Sequence, residues 1–182
     1  MSVLRDITHE THMAVEKLPF VQYLLKGNIT ESDYTVYLFE MLNIYRHLEK
    51  LAQQAGLLDT LDGLARADKI AEDLEELCPL YTGTLCDSTV LYLDYLTELY
   101  NSDRKKQLFA HIYVRHLGDM YGGKLIARVV PGSGRWYDFT NRADLLKNFN
   151  NMLSMDLADE ALVSFAHYGN IFKDLWTRLH TT

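Results

Sequence analysis

Long apolar runs are missing from this chain. Nowhere in its 182 residues do about 18 apolar residues stand together, so no segment reads as a membrane span. A secretory leader is missing as well, because the N-terminus MSVLRDITHETH is charged and amphipathic. Basic residues are the minority, 18 against 25 acidic, and the formal charge of −7 argues against nucleic acid as a partner. Cysteine is scarce: Cys78 and Cys86 flank a turn carrying Pro79 and Gly83, with neither CxxC spacing nor a nearby histidine motif. That pattern excludes a zinc site and points to a reducing compartment, with a Cys78–Cys86 disulfide as the minor alternative. No Rossmann G-x-G-x-x-G follows a strand, so the chain carries no flavin or nicotinamide motif. Internal repeats, low-complexity tracts and parallel-sheet patterns are equally absent. The expectation is one soluble cytoplasmic domain over residues 1–182, large enough to bury a core unaided.

What remains is helical almost throughout. Leu4, Ile7, Val15 and Leu18 form one stripe, and Pro19 closes or kinks that first helix. A short segment runs to Lys26 and stops at Gly27-Asn28. Thr30-Glu-Ser-Asp33 resembles a capping box opening a long helix to about Gln54. After a glycine-containing connector over 55–65, Arg66–Leu77 reads as an amphipathic helix, 78–86 as a turn and Asp87–Tyr100 as a further helix. Leu108–Val130 follows and ends at Pro131-Gly-Ser-Gly134; RWYDFT over 135–140 is the only segment that reads as extended. Helices over about 142–155 and 157–179 close an all-α fold.

The run Leu108–Val130 breaks helix rules at RHLGDMYGGK, Arg115–Lys124. Gly118, Gly122 and Gly123 each cost about 0.5–1 kcal/mol relative to alanine in a helix interior, about 2–3 kcal/mol together. A concession of that size has a local use. On a helical wheel Gly118 and Gly122 fall about 40° apart, with Arg115 and Leu125 on the same side and Asp119 beside them. A bare face lets a backbone approach something flat, and clustered glycines let the helix kink over it. Their bland alternative is close helix–helix packing.

The first helix holds a second candidate. His12 lies about 100° from the centre of the apolar stripe and His9 about 160°, so His12 borders the interior while His9 faces water. Glu16 lies one turn on; Thr8 and Arg5 lie one and two turns back. A neutral imidazole at a core edge is a good iron ligand when its other nitrogen has a partner, although such a histidine is more often simply a rim residue. His111, His116 and His167 read as structural or exposed, with His116 and His47 as alternative ligands in another pose, and Tyr34, Tyr37, Tyr92 and Tyr95 read as packing residues.

LRDITHETHMAVEKLPF, followed by the helix ending in YRHLEK, resembles the opening of the heme oxygenases, and HIYVRHLGDMYGGKLIARVV resembles their distal helix with its R-x-L-G-D-x-x-G-G pattern. LARADKIAEDLEEL and the final helices follow the family order, so the resemblance covers nearly the whole chain. It is similar to the soluble bacterial, cyanobacterial or phage-borne members that lack the membrane tail of animal forms. The resemblance implies an all-α fold holding heme b between the first helix and the glycine-rich one. It implies that His12 ligates iron and Glu16 supports it; that Gly118, Gly122 and Gly123 let the helix pass close over heme; and that Asp119 and Arg115 order distal water for catalysis. Tyr113, Arg5 and Lys147 match positions near the propionates, with Thr8 beside them on the first helix. Arg5 stands for the family's lysine, Asn150 or Asn151 occupies the place of a second basic residue, and Tyr121 stands where a smaller residue is common; the first two touch propionate anchoring and the choice of heme edge.

The implied reaction is oxidative cleavage of heme by O2 to biliverdin (the IX-alpha isomer), carbon monoxide and ferrous iron. Electrons come from outside, with reduced ferredoxin as the expected donor and Lys17, Lys124, Arg128, Arg142 and Lys147 as a positive docking face. A bilin reductase is the partner expected downstream. Two other readings stay open: a heme carrier without turnover, and a thiaminase-type enzyme using a cysteine nucleophile.

Overall fold

A computed structural model describes residues 3–181. The helices are α1 (Val3–Glu16), α2 (Pro19–Leu25), α3 (Glu31–Gln54), α4 (Ala67–Leu77), α5 (Asp87–Asn101), α6 (Leu108–Ile112), α7 (Gly118–Ile126), α8 (Arg142–Met152) and α9 (Ala158–His180). A π-helical turn, Tyr113–Leu117, joins α6 to α7. No strand occurs among the described residues, and no described helix is long and apolar enough to cross a membrane.

α3 is the axis of the core. Tyr34, Leu38, Met41, Ile44, Tyr45 and Leu48 are fully buried along it, and α4, α5 and α6 all pack against it. α9 covers the opposite side, touching α1, α2, α5 and α6. Thr30 starts α3 as expected, its Oγ1 accepting from the Asp33 N–H at 3.1 Å. The box is not reciprocal, however: the Asp33 carboxylate accepts from the Tyr23 hydroxyl at 2.8 Å, and the same hydroxyl oxygen accepts the Thr30 N–H at 3.1 Å. Tyr23 thus completes the cap from α2.

Two buried glutamates on α3 start the next two helices. Neither α4 nor α5 has its own side-chain cap. Glu49 accepts the N–H groups of Arg66 at 2.6 Å and Ala67 at 3.1 Å, and Glu40 accepts that of Cys86 at 2.8 Å. Unpaired amides at a helix start are satisfied, and a carboxylate there also meets the positive end of the helix dipole.

Three expectations are corrected. RWYDFT is not extended: Arg135–Tyr137 is a 3-10 turn, because Asp73 of α4 accepts the N–H groups of both Arg135 and Trp136 at 2.9 Å. Left-handed Gly134, φ 62°, leads into it. The glycine-bearing helix stops at Ile126 rather than Val130. On α1, Ile7 is 40% exposed and Thr8 takes its place in the buried stripe beside Leu4.

Glu49 also receives Nε2 of His116 at 2.8 Å, so one side chain serves α3, α4 and the π turn. Glu49→Ala would strand the two amides and the imidazole together. We expect a loss of about 3 kcal/mol in urea denaturation; a loss below about 1 kcal/mol would show that the junction is not limiting.

Candidate functional site

The π turn changes what the glycine helix presents. A wide turn breaks the regular 100° register between the residues before and after it. Arg115, expected beside the glycines, is instead drawn inward and is 1% exposed. Gly118 and Gly122 do share an open face: a Cβ built on either meets no protein atom within 4 Å. Tyr121 and Leu125, 60% and 65% exposed, continue on that side of the helix. Gly123 does not join it. A Cβ there would fall 2.8 Å from the Tyr137 ring, so this glycine, which the resemblance sets with Gly118 and Gly122, lets α7 pack against the 135–137 turn.

The inner flank of the same segment is polar and buried. Asp119 Oδ2 accepts from the Tyr45 hydroxyl at 2.7 Å and from the Trp136 indole N–H at 3.0 Å. Burial pushes the Asp119 carboxyl above its ordinary value, opposed by His116, by the bonds from Tyr45 and Trp136 and by Arg115. Burial, then the Asp119 charge, raises Tyr45 well above its usual range, so the phenol stays a neutral donor. Arg115 has no carboxylate partner among the described residues. Its guanidinium lies 4.2 Å from the Tyr168 ring centroid and 4.8 Å from that of Tyr92, and its buried Nη2 meets no hydrogen-bond acceptor. An orphaned buried N–H of this kind is what a distal water network would satisfy.

His111 is buried between the Tyr92 hydroxyl (2.8 Å) and Glu160 (3.0 Å), His116 is held by Glu49, and His47 meets Thr97 at 2.8 Å. Each is committed to the fold. His12 is not. Its side chain is 49% exposed, its ring stands edge-on to Phe165 at 5.9 Å, and its Nε2 lies 3.6 Å from Glu16, with no partner for Nδ1 among the described residues. The first helix meets the distal segment where Thr8 Oγ1 lies 3.5 Å from the Tyr113 hydroxyl. Arg5 and Lys147 are exposed and form no ion pair among the described residues; Asn150 and Asn151 are exposed beyond Lys147 on α8. Of the expected docking cations, Lys17, Lys124, Arg128 and Lys147 are exposed, whereas Arg142 is half-buried, donating from Nε to the Met120 carbonyl at 2.7 Å with its guanidinium 5.4 Å from the Tyr121 ring.

The residues therefore fit heme: an uncommitted imidazole on α1, a glycine face that no protein atom closes, a pinned carboxyl beside it and an orphaned donor behind it. Tyr45 and Trp136 were not legible as site residues. Tyr45 lies within the YRHLEK helix on a face that reads simply as core, and nothing local marks the indole of RWYDFT as a partner of Asp119. Neither cysteine suits nucleophilic chemistry here. Both are free, neither lies on α1 or α7, and burial pushes the Cys86 thiol up to about 11.

The heme oxygenase family model matches residues 1–174. The heme oxygenase of Rhodella violacea is 28% identical over 189 residues, covering 92% of this chain and 80% of that protein. Heme oxygenase 2 of Synechocystis is 27% identical, covering 70% of this chain and 54% of that protein. Among solved structures, heme oxygenase-1 from the cyanobacterium Synechocystis in complex with heme superimposes with a TM-score of 0.84 at 20% identity, covering 97% of this chain and 91% of that one. The heme oxygenase of Leptospira interrogans gives 0.80 at 22% identity, covering 93% and 96%. These likenesses at low identity establish the fold.

Two predictions separate the glycines and the carboxyl. Gly123→Ala lowers stability by about 1–3 kcal/mol through the Tyr137 clash, whereas Gly118→Ala leaves the heme-free protein as stable or up to about 1 kcal/mol more stable; equal losses would refute the division. Asp119, with its folded pKa raised, contributes stability below the ordinary carboxylate value that is lost as pH rises through the raised one. Asp119→Asn should accordingly gain on the unmodified protein in denaturation as pH rises across that window, and a constant difference would refute the burial argument.

Proposed function

The chain belongs to the heme oxygenase family, and from that premise we propose that it binds heme b between α1 and α7 and converts it, with O2 and electrons from reduced ferredoxin, to biliverdin IX-alpha, carbon monoxide and ferrous iron. Biliverdin formation is the general reaction of the family. One observation carries the placement: the open Gly118–Gly122 face lies next to a buried carboxyl that two neighbours hold by a single oxygen. When bound, heme supplies the oxygen-activating redox chemistry and is itself the substrate.

The residues divide the remaining work. His12 offers a ring nitrogen to iron while Glu16 orients the ring through the other. Gly118 and Gly122 bring backbone close on the distal side and leave no side chain to obstruct it. Asp119 holds or releases a proton at its free oxygen, and Arg115 places positive charge and N–H donors behind it. Arg5 and Lys147, exposed cations, anchor carboxylates, with Thr8 and Tyr113 closing the junction of the two walls. Lys17, Lys124, Arg128 and Lys147 form the docking face for an acidic ferredoxin, and Arg142 contributes mainly by bracing Tyr121 and the α7 backbone. Free Cys78 and Cys86 support a cytoplasmic setting, and the released biliverdin is chemically a substrate for a bilin reductase.

The test begins with hemin and the purified protein, followed by ferredoxin, its reductase and NADPH in air. A sharp Soret band should form and decay into the broad red absorbance of biliverdin. His12→Ala should weaken or shift the band, and Asp119→Ala should keep it but cut biliverdin at least about tenfold. Rising salt should slow ferredoxin-driven turnover. A band that persists with ferredoxin and with ascorbate would make the protein a heme carrier, and no band would sink the assignment.

A further inference from the structure

Asp119 Oδ2 accepts two hydrogen bonds, from Tyr45 and from Trp136, while Oδ1 accepts none from the described residues. A carboxylate oxygen offers two in-plane lone pairs. With both engaged on Oδ2, a proton finds a free lone pair only on Oδ1, which is also not closed off from solvent. We propose that Trp136 is a positioning residue that, with Tyr45, fixes the Asp119 carboxyl so that Oδ1 alone takes up and releases its proton. The inference rests on the heme oxygenase reading for its purpose, though not for its geometry.

The indole is suited to this task because it donates only and cannot accept the proton. Its direction is also fixed. Trp136 is fully buried, stacks on Tyr137 with centroids 4.7 Å apart at 16°, and meets the Tyr45 ring at 5.3 Å near perpendicular. Its backbone N–H is held by Asp73 Oδ2 at 2.9 Å, which ties the indole to α4. The structure thus runs from a carboxylate on α4, through a 3-10 turn, to the oxygen of a second carboxyl on α7. A phenylalanine at 136 would keep most of the packing and lose the donor.

Other groups surround Asp119. Arg115 and His116 face it from its own segment, and Arg66 acts from the start of α4. The phenols of Tyr34, Tyr37 and Tyr45 on α3, Tyr137 on the turn and Tyr168 on α9 are all raised by burial and stay neutral.

The experiment uses the heme-free protein carrying Trp176→Phe, which leaves Trp136 as the only indole and removes the Trp176–His180 stack. Trp136 emission should titrate above the ordinary carboxylate range. Asp119→Asn should abolish that transition, and Tyr45→Phe should move it up by roughly one pH unit, since a donor to the anion is lost. Emission that titrates unchanged in Asp119→Asn would overturn the proposal. In turnover with hemin, Trp136→Phe should keep the Soret band and move the Asp119-dependent limb of the pH profile up by roughly one unit; an unmoved profile would overturn the positioning role while leaving the oxygenase reading intact. If the unmodified protein gave no Soret band, the functional reading would fail, and the emission titration, which needs neither heme nor Trp136→Phe, would still decide the bond.

Discussion

Everything about the distal segment depends on its buried flank being held by other helices. Within five residues, Arg115, His116 and Asp119 point inward, and each meets a different neighbour: the rings of Tyr92 and Tyr168, the carboxylate of Glu49, and the donors of Tyr45 and Trp136. Three polar side chains buried together would be ruinous if left unmatched. Held by these contacts, with Arg115 Nη2 and His116 Nδ1 alone among their polar atoms buried without a partner in the described residues, they fix the azimuth of the helix. With the inner flank locked in this way, the Gly118–Gly122 side stays outward without needing side chains of its own to hold it there. The open face is a consequence of the closed one.

The π turn and the glycines solve different parts of one problem. Arg115 and His116 lie within the π turn, and both are buried ahead of Asp119. Gly123 then allows α7 to lie directly on Tyr137, bringing the 135–137 turn close enough for the neighbouring indole to reach Asp119. Gly118 and Gly122 carry no such packing duty. Glycine is costly in a helix, and here the cost is divided between one residue that serves the fold and two that serve the surface.

Much of this was legible in the sequence, and the reason differs by residue. The helices follow from apolar periodicity, Thr30 from its position before an acidic first turn, and the family from two motifs about a hundred residues apart. The register of Arg115 was not legible, because wheel angles assume a uniform helix and nothing in YVRHL announces a wide turn. The turn at 135–137 was missed because its cause is Asp73, some sixty residues earlier. Gly123 was grouped with its neighbours because three glycines in six residues look alike until one of them meets a ring. For the 135–137 turn and for Gly123 the missing information was a partner distant in sequence, which local patterning does not carry.

The two walls of the site differ in how firmly they are built. The wall carrying the glycines is embedded, with Arg115, His116 and Asp119 all buried. α1 is held chiefly against α9, where His12 stands edge-on to Phe165 and Val15 lies close to Gly169, and it leaves His12, Ile7 and Met13 well exposed. Apolar side chains of α1 and of the α7 face, Leu125 among them, are therefore available to be covered by a flat apolar partner, and each covered side chain adds about 1.5–3 kcal/mol when burial is complete. On the heme reading proposed above, a rigid wall carrying Asp119 opposed by a less constrained one carrying His12 suits the chemistry. Proton delivery requires a carboxyl fixed to within a fraction of an ångström, whereas an imidazole ligand needs only enough freedom to seat on its metal.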